Sequence, residues 1–160
     1  MYKRQLEGFG NGTTAAVARI FFCYGRHEQR ERLVPSIITS LINDVPLDLT
    51  EGRQLRDYLD GRDIARALWL LLNSDAEGAF NIGSGVSVEV RHLAEIVGNA
   101  LGRPELLRFG ARPEGPDTAR EILADTSRIR SVVGWEPSIT LEEGLQDSIA
   151  WWRQSAQSQS

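Results

Sequence analysis

The sequence predicts an α/β domain, and three observations carry that expectation. Short apolar or alternating runs recur between longer stretches whose apolar residues fall at three- and four-residue spacing. Glycine or proline punctuates most passages from one to the next. The composition is that of an ordinary folded domain, 160 residues with 41% hydrophobic and 25% charged side chains. A chain of that size buries about 70% of its unfolded surface and needs no staples.

Taken in order, residues 1–14 are polar, glycine-rich and aperiodic, and read as a truncated or artificial start. Gly8, Gly10 and Gly12 do not make a dinucleotide fingerprint, because position 13 is Thr and no strand precedes them. Residues 15–24 (AAVARIFFCY) have the near-continuous apolar pattern of a parallel strand covered on both faces, ended by Gly25. Arg19 inside that run is expected to be partly buried, and so to want a carboxylate or phosphate partner. Pro35 stands at a first helical position, with Ile37, Ile38, Leu41 and Ile42 on one stripe of a helix that stops near Asn43.

Residues 47–49 form a short alternating strand and 54–59 are extended. Residues 62–73 make a helix that is apolar on most sides and is therefore expected to be largely buried. Residues 79–82 form a strand closed by Gly83 and Gly85. Val90, Leu93, Ile96, Val97 and Leu101 mark an amphipathic helix, with Gly102 and Pro104 as its stop signals. Residues 106–109 give one more strand. Asp125 is placed to cap a short helix that Gly134 terminates. Thr140 and Glu143 have capping-box spacing, with Leu141, Leu145, Ile149 and Trp152 behind them. Of the adjacent pair, Trp152 should pack inward and Trp151 lie half exposed. Residues 155–160 are a polar tail, and no repeat or linker divides 15–154.

Charge and composition exclude several functions. With 18 Lys and Arg against 22 Asp and Glu, the net charge is −4, and a duplex-binding surface would need clustered cations. The one basic run, residues 26–32, is broken by Glu28 and Glu31. No apolar stretch approaches the ~20 residues of a bilayer crossing. The start lacks the apolar core of a signal peptide, so the expected compartment is cytoplasmic. The single Cys23 permits no internal disulfide. His27 and His92 are too far apart to seed a zinc site, and no metal is expected.

The informative stretch is residues 54–65, where charges gather at a strand-to-helix passage. The planar guanidinium of Arg56 suits a diphosphate, because its fork pairs two oxygens at once and never loses its charge. A plain surface pair with Asp57 or Asp63 is the alternative. Arg112 and Asp117 lie in a loop rich in proline and glycine, where solvated charges are also common.

Six blocks then combine: residues 19–25 (RIFFCYG), 33–35 (LVP), 54–58 (QLRDY), 81–85 (NIGSG), 124–128 (ADTSR) and 134–137 (GWEP). In this order they resemble the second half of the NAD-dependent epimerase/dehydratases, the extended short-chain dehydrogenase/reductase family that acts mostly on nucleotide-activated sugars. The resemblance covers about residues 7–152. It implies the C-terminal part of a Rossmann-type fold, its last parallel strands with the small mixed α/β substrate-binding domain. By resemblance, Arg56 grips the substrate diphosphate and Arg112 grips it from the far side. Asp117 lies near the nucleotide ribose, and Phe21 lines the nicotinamide side of the cofactor pocket. Phe22 stands where many members have an Asn that helps to hold the sugar nucleotide, so one donor and one acceptor are lost there.

The family's chemistry uses a Tyr-x-x-x-Lys pair, the tyrosine as acid/base, while NAD takes a hydride from the sugar. Glu7 matches the glutamate four residues after that lysine, which puts the lysine at Lys3 and the tyrosine before Met1. The glycine-rich cofactor loop is likewise not in the sequence. The resemblance therefore implies a substrate-binding fragment, inactive alone, that binds a nucleotide-diphosphate sugar and holds NAD or NADP only weakly. It implies no nucleic-acid or membrane partner. The full-length enzyme would be an isomerase, lyase or oxidoreductase, and homodimers are common in the family. Two alternatives are a non-catalytic nucleotide-diphosphate-binding module and a fragment of a same-fold reductase of a non-sugar carbonyl.

Overall fold

The computed structural model describes residues 15–115 and 119–157, which form a layered α/β structure with mostly parallel strand pairs. Strand β1 (Ala16–Ile20) runs parallel to β6 (Gly78–Ile82), with Arg19 opposite Asn81. The apolar run 15–24 is not one strand, because the backbone changes partners at Phe21. The Phe21 N–H donates to the Ile82 carbonyl at 3.0 Å, and the next N–H, of Phe22, donates to the Asp57 carbonyl at 3.2 Å. From there β2 (Phe22–Tyr24) pairs in parallel with β5 (Tyr58–Asp60). Nor is β1 covered on both faces among the described residues. Ala16, Arg19 and Ile20 are exposed, so the Arg19 charge stays in water and needs no buried partner.

Two further sheets follow, one of two strands and one of three. Strand β3 (Leu47–Leu49) is parallel to β8 (Leu107–Phe109). Strand β4 (Leu55–Arg56) lies between β7 (Val88–Glu89), antiparallel, and β9 (Glu121–Ile122), parallel. The extended stretch 54–59 thus divides at Asp57 into β4 and β5.

Five helices supply the apolar layers among the described residues. Helices α1 (Leu33–Ile42), α3 (Val90–Leu101) and α5 (Leu141–Gln157) close on a core built from Tyr24, Ile37, Ile38, Leu93, Val97 and Leu145. Helix α1 begins two residues before Pro35. Proline is tolerated there because a first-turn N–H has no intrahelical partner to lose. Helix α3 stops at Gly102, whose φ of +69° is a left-handed geometry that glycine adopts without strain. At the start of α5 the expected box is closed in both directions. The Glu143 N–H donates to Thr140 Oγ1 at 3.2 Å, and the Thr140 N–H donates to Glu143 Oε2 at 3.0 Å. Trp152 is buried and Trp151 half-buried, the latter against the His27 ring.

Helices α2 (Gly61–Leu72) and α4 (Ser127–Val133) enclose a second core with Leu59, Phe80, Ile82 and the fully buried Trp135. Thr126, not Asp125, occupies the cap position of α4 and makes no side-chain capping bond, while Asp125, one residue earlier, accepts the Ser127 N–H at 3.0 Å. Helix α2 departs from expectation. It buries Ile64, Ala67 and Leu71, but Trp69 is 64% exposed and Leu72 79% exposed. Only one of its apolar faces meets a neighbour among the described residues.

Candidate functional site

The site is organised by three carboxylates spaced three residues apart, all buried. Asp57 accepts the backbone N–H groups of Ser84 (2.6 Å), Gly85 (3.0 Å) and Ala124 (3.1 Å), and the Ser84 hydroxyl at 2.7 Å. The turn at 83–85 lies so close that a Cβ on Gly83 would sit 2.5 Å from the Ala124 Cβ, hence glycine. Asp60 caps α2, accepting the Arg62 N–H at 2.8 Å and its guanidinium at 2.9 Å. Asp63 accepts the N–H groups of Ser138 and Ile139 at 2.8 and 2.9 Å, and Arg66 at 2.8 Å. Its backbone carbonyl takes the Trp135 indole N–H at 3.1 Å. Burial pushes the Asp63 carboxyl up, but the donors of Arg66, Ile139 and Ser138 outweigh it and hold the group below its ordinary range.

These bonds overturn the surface-pair alternative for Arg56. Asp57 and Asp63 are committed to the braces just described. Arg56 itself is only 8% exposed. Its Nη1 donates to the Leu55 carbonyl at 2.7 Å, and its guanidinium lies over the Phe22 ring, 5.6 Å from the centroid. No carboxylate pairs with it among the described residues. A buried cation without an anion is costly unless a ligand supplies one.

Arg56 opens into a cavity of about 390 Å3, and Arg112 lines the same cavity. The Arg112 backbone N–H is tied to the Leu49 carbonyl at 3.1 Å, which fixes the loop after β8 against the end of β3. Among the described residues Arg112 also lacks an ion pair. The cavity lies at the C-terminal ends of the parallel pair β3 and β8, the side on which α/β sheets bind ligands, and against the first residues of β2 and β5, Phe22 and Tyr58. A neighbouring cavity of about 410 Å3 differs in kind. Its cations are neutralised, Arg62 by Asp60, and Arg26 by Asp147 in a two-pronged pair. Asp147 is held below its ordinary range, chiefly by its bond from Arg26.

Of the residues singled out in the sequence, Arg56 and Arg112 therefore come together, and Phe22 joins them. Phe21 is half-buried at the hand-over between β1 and β2, outside the lining of this cavity. Asp117 and Lys3 lie outside the described residues. Sequence reasoning missed Glu28, Arg32, Gln54, Tyr58 and Phe109, which complete the walls. Tyr58 is pushed up to about 12, first by burial. The signal for Glu28 and Arg32 was present as an i, i+4 charge pair inside the broken basic run.

A fold of this topology with two unneutralised guanidinium groups in one cleft defines a class. The chain belongs to the NAD-dependent epimerase/dehydratases, and the family model described as GDP-mannose 4,6 dehydratase matches residues 10–148. It is 31% identical over 147 residues to a dTDP-glucose 4,6-dehydratase of an Actinoplanes strain, covering 89% of this chain and 45% of that one. It is similar to MoeE5, solved with NAD and either UDP-glucuronic acid or UDP-glucose. The identities there are 29% and 28%, with a TM-score of 0.79 over 89% of this chain and 48% of that one. The UDP-glucose 4-epimerase of Thermotoga maritima, solved with UDP-glucose, shares the fold at a TM-score of 0.87 and 22% identity, covering 97% of this chain and 50% of that one. The chain thus spans about half the length of the relatives it matches.

MoeE5 is solved with NAD, and no glycine-rich loop opening a helix to receive such a dinucleotide lies among the described residues. Their glycine-rich turn at 83–85 folds around the Asp57 carboxylate and leads into β7, not into a helix whose N-terminus could receive a pyrophosphate. Among them, no group of three or more His, Cys, Asp or Glu side chains is placed to hold a metal ion. Among the described residues no helix is long and apolar enough to cross a membrane.

Proposed function

We propose that this chain is the sugar-nucleotide-binding portion of an NAD-dependent epimerase or dehydratase, and that Arg56 and Arg112 clasp the ligand's pyrophosphate from two sides. One observation carries the reading: both guanidinium groups line a single cavity without a carboxylate partner, one of them buried. A diphosphate supplies the missing anion and matches the two-oxygen geometry of each fork. Phe22 takes the place of a polar contact, and its ring steadies the Arg56 guanidinium. In this reading the chain as given binds its ligand without turning it over, because neither a Tyr-x-x-x-Lys pair nor a dinucleotide loop is in it. Phe21 keeps its expected place beside a nicotinamide, supported by its position just past the C-terminal end of β1. Asp117 keeps its place near the ribose.

Calorimetry with UDP and dTDP tests the clasp. Saturable binding is expected, and Arg56→Ala and Arg112→Ala should each weaken it at least about tenfold, ~1.4 kcal/mol. The double variant should lose less than the sum of the two, because both act on one group. Undiminished binding by both single variants would sink the proposal. Oxidation of a sugar nucleotide by the 160-residue chain with added NAD would overturn the part that denies turnover.

A further inference from the structure

We propose that Glu28 makes this site selective for sugar nucleotides whose sugar is neutral, and turns away uronic acids. The inference rests on the diphosphate reading above and adds the chemistry at one end of the cavity. The two ends differ. At the β3 and β8 end the walls are Leu49 and Phe109, an apolar surface suited to a flat base. At the end following β2 they are Glu28, Glu31 and Arg32. A pyrophosphate held between Arg56 and Arg112 directs the base to the first end and the sugar to the second.

Charge at the second end is already balanced or negative. Arg32 faces Glu28 at 3.6 Å, leaving Glu31 as net charge, so no free cation awaits a third anion there. The Glu28 side chain is only 16% exposed, its Oε2 is closed off from solvent, and the Gly25 backbone N–H and the Arg32 guanidinium face its carboxylate. A neutral hexose adds no charge at this end. A uronate carboxylate would instead set a like charge beside Glu28 and Glu31.

Affinities of UDP, UDP-glucose and UDP-glucuronate for the 160-residue chain decide the matter by calorimetry. UDP-glucose should bind at least about tenfold more tightly than UDP-glucuronate. Glu28→Gln, checked for folding by near-UV circular dichroism, should narrow the ratio to about threefold or less. Arg32→Gln, which strips Glu28 of its facing cation, should widen the ratio. Equal affinities in the unsubstituted chain, a preference for the uronate, or a ratio untouched by both variants would overturn the inference while leaving the clasp intact. Failure to bind UDP at all would remove the clasp, and this inference with it.

Discussion

Asp57 illustrates how far a residue's job can lie from its neighbours in the chain. Beside Arg56 it reads as half of an ion pair, yet its donors come from 27, 28 and 67 residues away. Nothing at positions 54–60 announces this, since the evidence of it is distributed among NIGSG and ADTSR. What the sequence did carry was Arg56 and Arg112, and it did so through the ordered blocks of the resemblance and not through local chemistry. Glu28 stayed hidden because a charge run was weighed only for its net sign. Removal of the Asp57 carboxylate orphans three backbone N–H groups in a closed space. Asp57→Ala should cost about 3 kcal/mol or more of stability, and Asp57→Asn, which retains one acceptor oxygen, clearly less. Urea unfolding reads both, and a loss under about 1 kcal/mol for the alanine variant would contradict the brace.

Single elements were legible wherever a local signal sets the boundary. The capping box of α5 and the glycine that stops α3 lie where the sequence put them, because caps are made by residues a turn apart. The strand at 15–24 was legible as apolar backbone but not as two strands, since the break is created by the carbonyls of Ile82 and Asp57 on other elements. The start of α2 is also fixed from afar, through Asp63 and the loop at 138–139. Because this carboxyl sits below its ordinary range when folded, the unfolded chain binds the extra proton in acid. Its contribution is therefore present above the unfolded value and fades as pH falls below about 4. Stability measured against pH should drop across that window, and the profile of Asp63→Asn should be flatter there. Parallel profiles would show that Asp63 contributes nothing to the acid limb.

For the molecule as a whole, the alternation of strands and helices was enough to foresee the layered α/β class, whereas the extent of burial was not. Leu68, Trp69 and Leu72 all stand exposed on α2, beside a shallow cavity whose floor includes Ala16, Ala18 and Leu71. A periodicity argument counts apolar faces and has no means of knowing which of them find a neighbour. Strand β1 adds an edge with no second partner among the described residues, and such edges recruit other chains. The 160-residue chain should therefore self-associate. Trp69→Glu with Leu72→Lys should raise the concentration at which light scattering begins by severalfold, and an unchanged threshold would acquit the α2 face.

The brace at Asp63 also imposes an order in time. Its donors, Ser138 and Ile139, are added to a growing polypeptide 75 and 76 residues after it. On the ribosome, the first turn of α2 is made long before its backbone donors exist, with only Arg66, three residues on, to pair its carboxylate. For that interval the charge must remain in water, with the helix and its apolar stripe unanchored. Only when the loop after Trp135 clears the exit tunnel can the two halves of the second core lock, which makes this stretch the one most in need of shelter while synthesis is under way.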